Sequence, residues 1–187
     1  ADDPAFVDMF FNEARLAMRL RDPAIVHIYE FGEEAGSYYL AMEWVDGVAL
    51  GKIIRRARKE NGIPPAIAVK LAATVAEALD YAHRARGDDG EPLGIVHRDV
   101  SPQNIMVSYE GAVKLLDFGI AKRSEAEDEK TAKLTKQGMV LGTPPYMSPE
   151  QFSGQSLDLR SDIYSLAVMT YEMVTGQLPF DARTPWE

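Results

Sequence analysis

The sequence has no cysteine, which excludes disulfides, thiolate metal sites and a cysteine nucleophile. It is short of positive charge: Lys and Arg total 20 against 29 Asp and Glu, a formal charge of −9. A nucleic-acid backbone selects for clustered excess Lys and Arg, so it is excluded as the main partner. No apolar run approaches the ~20 residues of a membrane-spanning helix. The opening Ala1-Asp2-Asp3-Pro4 lacks the basic start and apolar block of a signal peptide. Internal repeats, heptads and low-complexity tracts are absent too. The expectation is a cytoplasmic chain, or the cytoplasmic domain of a larger protein with or without a membrane anchor.

What is present suits one domain: 187 residues with 46% hydrophobic content. Residues 4–20 read as a helix, with Phe6, Phe10, Ala17 and Leu20 on one face. Glu13 shares that face, where a carboxylate needs a cation or hydrogen-bond donors. Two strand-like runs, 25–31 and 38–45, flank a turn at 32–36. A short helix over 50–59 ends in basic residues, expected to be a solvated face that complements the helix terminus. Pro64-Pro65 opens a long amphipathic helix reaching about Arg86. Short strands follow at 105–107 and 113–116, then a polar surface loop over 123–137. Residues 161–175 form a helix with apolar side chains all round, expected to be buried in the middle of a domain, and Gly176 stops it.

The informative stretch is His97-Arg98-Asp99-Val100-Ser101-Pro102-Gln103-Asn104, followed by Asp117-Phe118-Gly119. An aspartate and an asparagine on one tight loop, with a second aspartate ending the next hairpin, place three oxygen-bearing side chains around one cleft. Hard oxygen ligands of this kind suit Mg²⁺ carrying nucleotide phosphates. Ser148-Pro149-Glu150 comes later in the same order, and together these motifs leave chance a poor explanation.

With these motifs the sequence resembles the eukaryotic-like protein kinase superfamily, over nearly its whole length. It is most similar to bacterial serine/threonine kinases in Gly142-Thr143-Pro144-Pro145-Tyr146-Met147-Ser148-Pro149-Glu150-Gln151 and in Arg160 to Leu166. The resemblance implies an α+β protein-kinase-like fold. Residues 1–45 would be part of the small lobe, 46–187 the large lobe, and 117–150 the activation segment. It implies transfer of the ATP γ-phosphate to Ser or Thr hydroxyls of a protein substrate. Asp99 would be the catalytic base, Asn104 and Asp117 the Mg²⁺ ligands, and Glu13 the helix glutamate that pairs with an ATP-binding lysine. Met42 resembles the gatekeeper, Glu43 to Val45 the adenine-binding hinge, and Met106 the residue beneath the adenine. Ala17, Ile28, His97 and Phe118 match a stacked column joining the lobes, with Asp162 at its base. Thr143 resembles the threonine that favours Ser/Thr acceptors. Arg98 implies control by a phosphorylated loop residue, with Thr135 the first candidate, Thr131 the second and Ser124 the third.

Some family features are missing. No G-x-G-x-x-G occurs, and the lysine strand expected before Glu13 is absent, so Glu13 would lack its partner and the phosphates their backbone lid. Glu150 would lack an arginine partner supplied by later helices. Ser101 stands where most Ser/Thr kinases carry a lysine that touches the transferred phosphate. A serine there brings no charge. The expectation is therefore a fragment of a longer kinase, inactive and poorly stable by itself. The alternative is a non-catalytic kinase-fold binding or regulatory module. The joint presence of Asp99, Asn104 and Asp117 speaks against it, and the 142–150 segment speaks against a small-molecule phosphotransferase. Oligomeric state, substrate identity and upstream signal are not legible in the residues.

Overall fold

The computed structural model describes residues 4–60, 62–118 and 143–180. Helix α1 (Pro4–Ala17) leads to an antiparallel pair, β1 (Ile28–Glu34) and β2 (Ser37–Met42). Their two-residue turn, Ala35-Gly36, holds φ of 52° and 78°, the left-handed geometry whose twist matches the flanking strands. A three-stranded sheet follows in the order β3 (Gly47–Ala49), β4 (Ile105–Ser108), β5 (Val113–Leu115). Gly47 is required there, because a Cβ would lie 2.2 Å from the Val107 carbonyl oxygen. Strand β3 escapes sequence reading, being three residues long and directly continuous with α2 (Leu50–Ala57).

A 3-10 turn (Arg58–Glu60) closes α2. Helix α3 (Pro65–His83) opens with proline at its first position, where the missing N–H has no intrahelical partner to lose. A second 3-10 turn (Pro144–Tyr146) precedes the one-turn helix α4 (Pro149–Phe152), and α5 (Leu159–Thr175) follows. Ser148 caps α4 through a reciprocal capping box with Gln151. The Asp158 side chain caps α5, and Gly176 at φ 71° ends it.

One apolar cluster joins Leu20, Ile25 and Ile28 to Leu79, Leu115, Phe118, Met169 and Met173. Each large side chain withdrawn from water there contributes about 1.5–3 kcal/mol. Backbone bonds connect the small β1–β2 layer to the rest: Val26 N–H donates to the Leu115 carbonyl (2.9 Å) and Leu115 N–H to the Ala24 carbonyl (2.7 Å).

Three expectations need correction. Helix α1 stops at Ala17; beyond it Leu20 is 2% exposed in the core, and the Arg21 N–H donates to the Tyr81 hydroxyl instead of continuing the helix (3.0 Å). On α1, Phe11 packs on Phe31 and Tyr38, with ring centroids 5.4 and 5.6 Å apart, although it lies off the anticipated stripe. The side chains of Phe6 and Phe10 are outside the described set. Helix α5 is not buried all round. Ile163 and Val174 are exposed, whereas the polar Ser161, Asp162, Ser165 and Glu172 are buried, because those polar groups hold neighbouring loops. Thr131, Thr135, Ser124, Gly119, Gly142 and the 123–137 stretch lie outside the described residues.

Candidate active site

The loop from His97 to Asn104 hangs on one buried carboxylate. Asp162, 1% exposed on the first turn of α5, accepts the His97 N–H at Oδ2 and the Arg98 N–H at Oδ1, each at 2.8 Å. His83 Nε2 from the end of α3 also reaches Oδ2 at 2.8 Å. His97 is fully buried. Its Nε2 donates to the Leu116 carbonyl (2.7 Å), while Nδ1 accepts the Asp99 N–H (3.2 Å). Both bonds are met by one neutral tautomer. Burial pushes this imidazole below its ordinary pKa against the opposing pull of Asp162 and the Leu116 carbonyl, in keeping with that neutral form.

Asn104 donates from Nδ2 to the Asp99 carboxylate Oδ2 (2.8 Å) and to the Asp99 carbonyl (2.9 Å). The Thr143 hydroxyl lies 3.4 Å from Asp99 Oδ1, long for an O–H···O bond. Asn104 also accepts the Leu116 N–H at its backbone carbonyl (2.8 Å). Both backbone groups of Leu116 are thus tied to the loop, and Asp117 is the next residue. Asp117 is exposed at φ 51°, and Arg98 sits at φ 66°. Two non-glycine residues in the left-handed region within one small site are strained backbone of the kind found where function demands it.

The donor set fits Mg²⁺. With its amide nitrogen turned to Asp99, Asn104 has Oδ1 available as a hard ligand, and Asp117 offers a carboxylate. Among the described residues no group of three His, Cys, Asp or Glu could hold a metal, so a cation here depends on oxygens from elsewhere. That is how Mg²⁺ is commonly shared between a protein and nucleotide phosphates. Ser101 is fully buried, and its Oγ has no hydrogen-bond partner among the described residues. The expectation that it would touch the transferred phosphate is therefore not met, because the side chain is turned into the protein.

Around the cleft, Met42 is paired with Ile28 across the β1–β2 ladder. With Ala17, Leu40, Asp117 and Phe118 these residues line one small cavity. The Phe118 and His97 rings are 4.7 Å apart and the His97 N–H meets Asp162, while Ala17, Ile28 and Phe118 line the same cavity. Met106 stands opposite Ala49 and Lys114 in the second sheet. The Glu43 N–H donates to the His27 carbonyl (2.8 Å), and Val45 follows after Trp44, which is 87% exposed. Glu13 is half-buried and engaged with other groups. Glu150 accepts the Ser161 hydroxyl (2.6 Å), so it has a partner within the chain as well. That bond holds the Glu150 carboxyl below its ordinary pKa.

The ion pairs at Glu172 and Glu43 are not legible as pairs in the sequence. Glu172, 3% exposed in α5, receives Arg58 at 2.5 Å and the Tyr146 hydroxyl at its other oxygen. Burial and the Glu172 carboxylate push the Tyr146 phenol up, so it remains a donor. The basic end of the 50–59 stretch reads in sequence as a solvated face, yet Arg58 is paired, and the lone glutamate between Tyr171 and Met173 in an apolar run is the sequence signal for that partner. Lys114 meets Glu43 at 2.6 Å, and Glu43 also accepts the His27 N–H (3.2 Å). Burial pushes the Glu43 carboxyl up, but Lys114 and His27 outweigh it and hold it below the ordinary range.

The family model described as the protein kinase domain matches residues 2–186. The tyrosine-protein kinase MasK of Myxococcus xanthus is 42% identical over 96% of this chain, which covers 27% of MasK. The serine/threonine-protein kinase PknB of Mycobacterium tuberculosis is 42% identical over 99% of this chain, which covers 28% of PknB. The crystal structure of the M. tuberculosis PknI kinase domain superposes with a TM-score of 0.71 at 30% identity, over 96% of this chain and 59% of that one. The chain thus spans about a quarter of the curated relatives it matches and under two thirds of a solved kinase domain. A family match over almost every residue, a shared fold and two aspartates and an asparagine gathered at one loop have one common reading: this chain belongs to the protein kinase domain family.

Proposed function

We propose that this chain carries the catalytic loop and peptide-facing segment of an ATP- and Mg²⁺-dependent kinase that phosphorylates Ser or Thr hydroxyls of proteins. The observation behind this reading is that Asn104 and Thr143 both address the Asp99 carboxylate, while Leu116 fixes Asp117 beside the same loop. Asp99 would orient the acceptor hydroxyl and take its proton. Asn104 Oδ1 and Asp117 would hold Mg²⁺, which when bound neutralises phosphate charge. Phosphoryl transfer depends mainly on such positioning and charge compensation. The hinge at Glu43 to Val45 and the side chains of Met42 and Met106 would receive the adenine, with residues 1–45 serving as part of the small lobe and 46–187 as the large lobe.

Control by phosphorylation belongs to the same reading. Arg98 Nε is buried without a partner among the described residues, a donor that calls for an acceptor, and phosphate on Thr135 or Thr131 would bring one to this arginine. Mass spectrometry of the full protein after incubation with ATP is expected to find that phosphate; an unmodified segment in an active enzyme refutes the assignment.

A tyrosine acceptor is the second reading. It is favoured by the name of the Myxococcus relative. The deciding experiment is transfer of labelled phosphate from Mg²⁺-ATP to otherwise identical Ser, Thr and Tyr peptides, with Asp99→Asn as control. Transfer to Ser and Thr, reduced about 100-fold or more by Asp99→Asn, supports the first reading, and transfer to Tyr alone supports the second. Titration calorimetry with Mg²⁺-ATP is expected to show binding that Asp117→Ala abolishes; binding unchanged in that variant refutes the metal assignment.

A further inference from the structure

The peptide unit joining Arg98 to Asp99 is gripped at both of its polar atoms. Its N–H, on Asp99, donates to His97 Nδ1 (3.2 Å). Its carbonyl, on Arg98, accepts Gln151 Nε2 from α4 (2.7 Å). The same Gln151 amide accepts the Ser148 N–H at Oε1 (2.9 Å), and the Gln151 N–H faces Ser148 Oγ (3.4 Å). These bonds fix the amide orientation, since exchanging its oxygen and nitrogen would set carbonyl against carbonyl at Arg98 and N–H against N–H at Ser148. A capping box is satisfied by glutamate or glutamine alike. The bond to Arg98 requires a donor, and only the amide provides one. Ser148 is fully buried, so this anchor is not a surface contact.

We infer that Gln151 is a positioning residue for the catalytic base. Its amide couples the segment beginning at Thr143 to the strained backbone of Arg98, and so sets the peptide plane from which the Asp99 side chain projects. The inference rests on the kinase reading for its link to catalysis. Arg98 at φ 66° needs restraint from its surroundings to stay there. Asp162 supplies it on the N–H side and Gln151 on the carbonyl side. Displacement of a catalytic group by a fraction of an ångström lowers turnover before it lowers substrate affinity.

The test uses Gln151→Glu, which keeps the capping acceptor but loses the donor at neutral pH, and Gln151→Met, which loses both. Steady-state kinetics across pH and hydrogen–deuterium exchange of residues 97–104 are measured on the full protein. In Gln151→Glu, kcat is expected to fall about tenfold near pH 8 while KM for ATP changes less than about twofold. The deficit relative to wild type is expected to shrink as pH is lowered, because a protonated carboxyl again donates to the Arg98 carbonyl. The Asp99 amide is expected to exchange faster in both variants, with α3 unchanged. Wild-type kcat in Gln151→Glu, a deficit that is the same at every pH, or unchanged exchange over 97–104 overturns the inference. If the wild type itself transfers no phosphate, the kinase reading fails, and the exchange measurement alone decides whether Gln151 holds this peptide.

Discussion

Asp162→Asn isolates the role of the carboxylate beneath the loop from His97 to Asn104, because it preserves shape and removes acceptor capacity. Three donors converge on Asp162: the His97 and Arg98 N–H groups and His83 Nε2, each at 2.8 Å. An asparagine has one acceptor oxygen. Its better orientation sets that oxygen against His97 and His83, which leaves the amide NH₂ facing the Arg98 N–H. One buried donor then goes unsatisfied, at about 1–3 kcal/mol, and the remaining bonds lose their charge assistance, about another 1 kcal/mol each. The expected destabilisation is about 3–5 kcal/mol, a large share of the 5–15 kcal/mol typical of a folded domain. Asp162→Ala strands all three donors and is expected to cost more than Asp162→Asn. Urea unfolding of the full protein, followed by circular dichroism at 222 nm, gives both values. A loss under about 1 kcal/mol for asparagine, or equal losses for the two variants, refutes the argument that these bonds hold the loop.

Other consequences follow from the buried pairs and the histidine. Arg58→Ala leaves Glu172 with Tyr146 as its one named partner and is expected to cost about 2–4 kcal/mol in urea unfolding, below the loss from a fully buried pair because Arg58 is 44% exposed; the double variant Arg58→Met/Glu172→Met is expected to be more stable than Arg58→Ala, and the reverse order refutes a desolvated pair. Lys114→Met is expected to cost about 1–2 kcal/mol at neutral pH. Glu43 has a depressed pKa when folded, so the gap between wild type and Lys114→Met is present above the unfolded carboxylate pKa and closes as pH falls through the folded one; a gap that persists in acid refutes the pairing. His97 is likewise depressed, so its contribution is present above the unfolded imidazole value of about 6.5 and declines as pH falls, at no more than about 1.4 kcal/mol per pH unit. Unfolding curves of His97→Phe are expected to show a shallower acid slope than wild type, and identical slopes would sink the claim.

Periodicity exposes elements that satisfy their own backbone and bury a stripe. Helix α3 is legible for that reason, with Leu71, Val75, Leu79 and Ala82 at helical spacing and buried, although Ile67 on the same expected stripe is exposed in the first turn, ahead of the packed part of the helix. Helix α5 departs from the pattern because its buried positions serve other segments. Ser165 Oγ donates to the Tyr146 carbonyl (2.7 Å) and Glu172 receives Arg58, so polarity in α5 reports partners that lie far away in sequence. Strand β3 makes the same point at small scale: its three residues are a strand only because β4 lies beside them.

The candidate site stands out where chemistry restricts residue type. The roles proposed for Asp99, Asn104 and Asp117, a base, an amide ligand and a carboxylate ligand, admit few substitutes, so these residues are conspicuous in the sequence before any geometry is known. The residues that aim them do not, because a hydrogen bond from a glutamine or a lysine can be supplied from many places in a chain. Gln151, 52 positions beyond Asp99 in sequence, reaches the carbonyl of the preceding residue, and Lys114 reaches Glu43. Ser101 shows the opposite limit. Its position within the motif suggested contact with phosphate, yet a side chain this short follows the local packing and turns inward. With the backbone fixed, the Cα–Cβ direction and the local packing decide whether a short side chain meets the cleft or the core, and only the fold resolves which.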